Sequence, residues 1–214
     1  MKKVFGALAV AALLASCGAL DQKINYADGS AGKDDPIGLK GKAVTVSLLS
    51  GPAARLQAST QTTSGTFDDI TGIPGGISLK TWGFTLDLTT PAGGAVVTGN
   101  TTACPASLSI NVDALTLNVK DAANAAGVSA PVTFTPSSIT LTETAVDCNY
   151  AVPAAPVKVS ASITGTALSS LVSIITAGGQ NTVTATLTTT TTPAIGGSVN
   201  LVFGSGTGFV IAGI

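Results

Sequence analysis

The chain has 214 residues, with ten basic and eleven acidic side chains, charged residues at only 10% and aromatic residues at 4%. It contains no histidine, which excludes Ser-His-Asp and Cys-His nucleophile systems and the histidine-bearing zinc, copper and haem sites. A formal net charge of −1 without a basic run argues against nucleic acid as a partner; mean hydropathy is +0.50, and much of the apolar content is alanine and valine.

The chain opens on a basic start, Met1-Lys2-Lys3, followed by an uncharged apolar run from Val4 to Leu14 and a small-residue stretch that ends in Leu14-Ala15-Ser16-Cys17. This is the layout of a secretory signal, with an apolar run too short for a stable membrane-spanning helix. Leu14-Ala15-Ser16-Cys17 resembles the lipobox of bacterial lipoproteins. That resemblance implies a signal peptide over residues 1–16, cleavage before Cys17, and acylation of Cys17 as the new amino terminus. It also implies a cell-envelope location, and Gly18 after the cysteine suits outer-membrane or surface delivery in such proteins. Removal of Lys2 and Lys3 leaves eight basic side chains facing eleven acidic ones.

Residues 17–42 are polar, contain Pro36, and show almost no apolar periodicity, so they read as a lipidated flexible tether. Asp28, Asp34 and Asp35 in this stretch are weak calcium candidates, because calcium favours loops rich in carboxylate and carbonyl oxygens. Ser30-Ala31-Gly32-Lys33 has the S-x-x-K form of serine-lysine hydrolases, yet a tether offers nothing to desolvate the lysine.

From Ala43 the apolar period is two. Val44, Val46 and Leu48 alternate with Thr45 and Ser47. The pattern recurs at Phe84 to Leu88, Leu108 to Val112, Ile139 to Leu141, Val157 to Ile163 and Val183 to Leu187, with Pro/Gly turns between runs. Such strands bury one face and imply an all-β fold: an antiparallel β-sandwich, immunoglobulin-like or jelly-roll-like, formed as a single domain over residues 43–214. The apolar phase moves from even to odd positions between Val112 and Leu115, which predicts a bulge near Asp113-Ala114 that lets one long strand serve two sheets. Leu168, Leu171, Val172 and Ile175 follow helical spacing and stop at Gly178-Gly179, predicting one short helix across an end of the sandwich. Residues 198–214 read as two strands joined by the glycine-rich link Gly204-Ser205-Gly206-Thr207-Gly208.

With Cys17 assigned to the lipid, Cys104 and Cys148 remain as an even pair in an oxidising compartment, which predicts a disulfide. The bridge would close a loop of about 44 residues, worth about 4 kcal/mol in chain entropy. Trp82, the single tryptophan, is expected in the core beside that disulfide, as in immunoglobulin-like sandwiches. Asp68-Asp69 reads as a turn. No catalytic residues and no cofactor are expected.

The residues thus point to a non-catalytic, lipid-anchored envelope protein. Its expected partners are the membrane, through its acyl chains, envelope or surface-layer proteins, and further copies of the chain. Two other classes stand beside this reading: an envelope sandwich like the copper superoxide dismutases with an atypical copper site, and a carrier of an apolar ligand.

Overall fold

The computed structural model describes residues 21–48, 58–73, 77–91, 95–97, 104–135, 138–145, 149–151, 155–193 and 196–213. They form an antiparallel β-sandwich with one short α-helix. The strands are β1 (Gln22–Ala27), β2 (Ala43–Leu48), β3 (Ser59–Asp68), β4 (Ser78–Thr89), β5 (Ala95–Val97), β6 (Ser107–Lys120), β7 (Val128–Pro131), β8 (Thr133–Thr135), β9 (Ser138–Ala145), β10 (Asn149–Ala151), β11 (Val157–Thr164), β12 (Gln180–Thr192) and β13 (Gly197–Gly213). The helix, α1, spans Gly165–Ile175. Hydrogen bonding runs continuously in the order β3-β12-β6-β9-β10-β5-β13-β4-β11-β8, and the short strands β10 and β5 carry it from one layer to the other. One layer is β3-β12-β6-β9, the other β13-β4-β11-β8.

Alternation decides which side chains meet between the layers. Trp82, Phe84, Leu86 and Val210 from one layer pack with Leu117, Val119, Val183 and Ala185 from the other. A second cluster, toward the opposite end, joins Val44, Val46, Leu88, Val199 and Leu201 to Leu108, Ile110, Ile139 and Leu141. The helix leaves β11 where Thr164 pairs with Thr81 and returns to β12 where Gln180 pairs with Asp68. It therefore crosses from one layer to the other, burying Leu168, Leu171, Ile174 and Ile175 in the first cluster and leaving Ser169, Ser170 and Ser173 exposed.

The predicted phase change is a real bulge. Thr188 of β12 faces Ala114 and Thr189 faces Val112, so Asp113 is the extra residue. The other edge of β6 changes partner at the same place: β9 pairs with Ser107 to Asn111, and β7 with Thr116 to Val119. The single inserted residue thus lets one 14-residue strand hold two successive neighbours.

Three expectations are corrected. The stretch before Ala43 is not a free tether from Asp21 onward. β1 pairs with β13, with Gln22 opposite Ala212 and Ile24 opposite Val210, and Ile37 and Leu39 are each 1% exposed. The sandwich therefore begins some twenty residues earlier than position 43. The reason is that Ile24, Tyr26, Ile37 and Leu39 are too widely spaced to form a local pattern, yet all meet a core made by distant strands.

The glycine-rich segment of residues 204–208 is not a hairpin turn. β13 is one strand of 17 residues with a register break between Phe203 and Gly206. Gly206 N donates to the Asp34 carbonyl at 2.6 Å, and Ser205 Oγ donates to the Asp34 carboxylate at 2.8 Å. A Cβ on Gly208 would strike the Tyr26 ring and Pro36. The glycines are there because another segment of backbone lies against them.

Trp82 is fully buried, as expected, but its neighbours are Phe67 and Phe84, at ring-centre separations of 5.8 and 6.1 Å. Cys104 packs against the opposite cluster, so the tryptophan does not sit beside that cysteine.

Candidate functional site

A polar cleft of about 610 Å³ lies on one flank of the sandwich. Its walls come from the end of β1 and the loop after it (Tyr26, Asp28, Lys33, Asp35), from the end of β3 and beyond (Asp68, Asp69, Thr71), and from Gln180. Four carboxylates and one ammonium give it a negative field.

Each carboxylate whose contacts are defined already serves the fold. Asp28 accepts hydrogen bonds from Ser30 Oγ at 2.5 Å and Ser30 N at 2.9 Å, and these hold its carboxyl below the usual value. Asp34, just outside the cleft, is held low chiefly by its bond to Lys40 Nζ at 2.6 Å and next by Ser205. Asp35 accepts from the backbone N–H groups of Leu39 and Lys40 at 2.9 and 3.1 Å, closing the loop that turns Ile37 and Leu39 inward. Asp69 accepts from Gly178 N and Asn181 Nδ2, tying the end of β3 to the turn after the helix. Among the described residues no three His, Cys, Asp or Glu side chains converge as a cation site. The calcium candidates Asp28, Asp34 and Asp35 are instead spread over three separate sets of bonds.

At the floor of the cleft Tyr26 Oη accepts a hydrogen bond from Trp82 Nε1 at 2.7 Å. Burial pushes the phenol well above its ordinary value, opposed by the Trp82 bond and reinforced by the charge of Asp35. Tyr150, on the far cluster, is raised by burial and then by Glu143. A phenol harder to ionise when folded than when unfolded gives stability that is complete below about pH 10 and is lost as pH rises beyond it. Alkaline melting should therefore show a falling midpoint above about pH 10. Tyr26→Phe should reduce that fall, leaving the part due to Tyr150, and should cost about 1–3 kcal/mol at pH 7 because the buried indole N–H loses its acceptor. Equal alkaline slopes in the two proteins would refute this assignment.

A second feature is the outer face of the first layer. Cross-strand rows read Thr66–Thr182–Lys120, then Ser64–Thr184–Asn118–Ser129, then Thr62–Thr186–Thr116–Pro131. Ser64 and Thr184 hydroxyls are 3.0 Å apart, and Asn118 Nδ2 donates to Ser129 Oγ at 3.0 Å. The face is polar, nearly uncharged and holds no nucleophile paired with a base.

Between the two core clusters lies an apolar cavity of about 40 Å³ lined by Val112, Leu115, Ala185, Leu187, Leu201 and Phe203 among others. A cavity that admits benzene measures about 150 Å³, so this one is far too small for an acyl chain. Ala185→Val should fill part of it, gaining up to about 1.6 kcal/mol at about 0.8 kcal/mol per buried methylene and raising the thermal midpoint by a few degrees. A lowered midpoint would show that the site has no room.

Of the remaining residues singled out by sequence, Cys104 is disulfide-bonded, while its expected partner Cys148 and the acylation candidate Cys17 lie outside the described residues. Tyr150 Oη donates to the Pro105 carbonyl, which fixes the start of β10 close to the segment that carries Cys104. No helix among the described residues is long and apolar enough to cross a membrane. Sequence reasoning missed Tyr26, whose only local signal was its spacing of two from Ile24, whereas Asp69, read with Asp68 as a turn, does hold the end of β3 to the turn after the helix. Comparison with known protein families, with curated proteins and with solved structures gives no match.

Proposed function

We propose that this chain is a lipid-anchored cell-envelope protein whose β-sandwich acts without catalysis, as a structural or interaction module at the outer membrane or cell surface. The observation that carries the reading is Leu14-Ala15-Ser16-Cys17 placed directly after a basic start and an apolar run. More than one acyl chain on the single Cys17 suffices for stable attachment. The non-catalytic part is supported by Asp28, Asp35 and Asp69 of the cleft, which are engaged in holding loops and turns, and by the broad Thr/Ser face, which offers contact area rather than a reacting group. Envelope or surface-layer proteins, or further copies of the chain, are its proposed partners. The cavity between the clusters does not favour the apolar-carrier reading.

The test is direct. Native material should carry acyl chains on Cys17 by mass spectrometry and fractionate with membranes, and Cys17→Ser should move the protein to the soluble fraction. An intact, unacylated Met1 on native protein would end the proposal.

A further inference from the structure

We infer that the helical end of the sandwich rests against the bilayer that holds the chain, with the opposite end directed away from it. This orientation rests on the acylation of Cys17 proposed above and adds to it a specific surface, with a lipid headgroup layer as its occupant.

The argument begins with chain length. Asp21 is already fixed to the body, because its carboxylate pairs with Lys80 Nζ at 2.5 Å, and Gln22 opens β1. Four peptide links separate Cys17 from Asp21, and fully extended they span at most about 14 Å. Gln22 pairs with Ala212 near the end of β13, whereas Gly197 begins that strand fifteen residues away. At about 3.3 Å per residue the separation is about 50 Å, somewhat less where the bulge bends the strand. The link holds the Gln22 end within about 14 Å of the anchored cysteine, and with β13 standing off the surface the Gly197 end is the one directed away.

The helix lies at the reachable end. A single cross-strand row runs from Lys23 through Ile211 and Thr81 to Thr164, the residue before α1. Three strand spacings of about 4.8 Å place the helix start about 14 Å from β1. No charged residue follows Lys158 anywhere in the chain, so the helix and its exposed Ser169, Ser170 and Ser173 present a neutral polar surface. Two cleft carboxylates border this end: Asp68 pairs with Gln180, where the chain leaves the helix for β12, and Asp69 accepts from Gly178 N. The short link, rather than charge, brings this end to the bilayer.

The experiment uses the full acylated protein in phosphatidylcholine–phosphatidylglycerol vesicles that contain a lipid with a nitroxide on its headgroup. A fluorophore is placed at Ser170→Cys on the helix or at Ser47→Cys on β2, both exposed positions. The label at position 170 should lose most of its emission and the label at 47 little. A twenty-residue Gly/Ser insertion between Leu20 and Asp21 should remove the difference. Equal quenching at both positions without the insertion, or stronger quenching at 47, overturns the orientation while leaving the anchor intact. Protein that mass spectrometry shows to lack acyl chains overturns the anchoring reading, and the orientation falls with it.

Discussion

Truncation after Gly208 should abolish cooperative folding. The six residues removed include Val210 and Ala212, at 0% and 1% exposure, together with Phe209, whose ring covers Gly83. They also hold most of the partners of β1, since Gln22, Lys23, Ile24 and Asn25 pair with Ala212, Ile211, Val210 and Phe209. On the other side they pair with β4 across Gly83, Trp82 and Thr81. The deletion therefore removes the last part of a central strand, releases most of β1 and leaves β4 unpaired on that side from Ser78 to Gly83, beside the largest aromatic of the core. Burial of each large apolar side chain is worth about 1.5–3 kcal/mol, and several are lost at once from a fold whose total stability is about 5–15 kcal/mol. The expected result is aggregated or molten protein with no near-ultraviolet circular dichroism and no thermal transition. A truncated protein that melts cooperatively near the parent midpoint would therefore contradict β13 as a continuous strand.

What the residues reveal in advance depends on whether the deciding contacts are local. The strands with alternating Val, Leu and Ile are legible because each carries its own buried face. The bulge at Asp113 is legible because a one-residue insertion flips the phase of everything after it. The helix is legible from Leu168, Leu171 and Ile175. β3 is not, because in STQTTSGTFD only Phe67 is a large apolar residue and the strand is defined by its pairing with β12. The segment of residues 21–42 is not, because its inward residues meet β13, more than a hundred positions away, and core residues such as Phe67 and Trp82 that are still dozens of positions distant. The cleft is equally illegible: its walls come from three stretches that meet only after the layers have packed, and its carboxylates look free in sequence because the donors that occupy them belong to turns.

Among the contacts that integrate that amino-terminal segment, one should break on the addition of a single methyl group. Gly38 lies against Thr66, and Gly65 of β3 lies against the Gly38 carbonyl, backbone to backbone. A Cβ on either residue would enter the van der Waals shell of the facing carbonyl oxygen. Neither obstacle is a side chain that could swing aside. Gly38 in addition has φ +72°, a left-handed conformation that costs a residue with a Cβ about 1–2 kcal/mol. Gly65 has no such backbone demand, so Gly65→Ala isolates the packing term. To accommodate the methyl, the loop of residues 36–41 must lift from β3, and Ile37 and Leu39 then leave the core. Exposing these two side chains costs about 3–6 kcal/mol. The expected outcome is a large fall in the denaturant midpoint with rapid tryptic cleavage at Lys33, Lys40 and Lys42, while the remaining sheet retains β-type far-ultraviolet circular dichroism. If residues 21–42 were a free tether, Gly65→Ala would face open space and those lysines would already be cut at the same rate in the parent protein. Identical digestion patterns and midpoints for the two proteins would refute the docking of this segment.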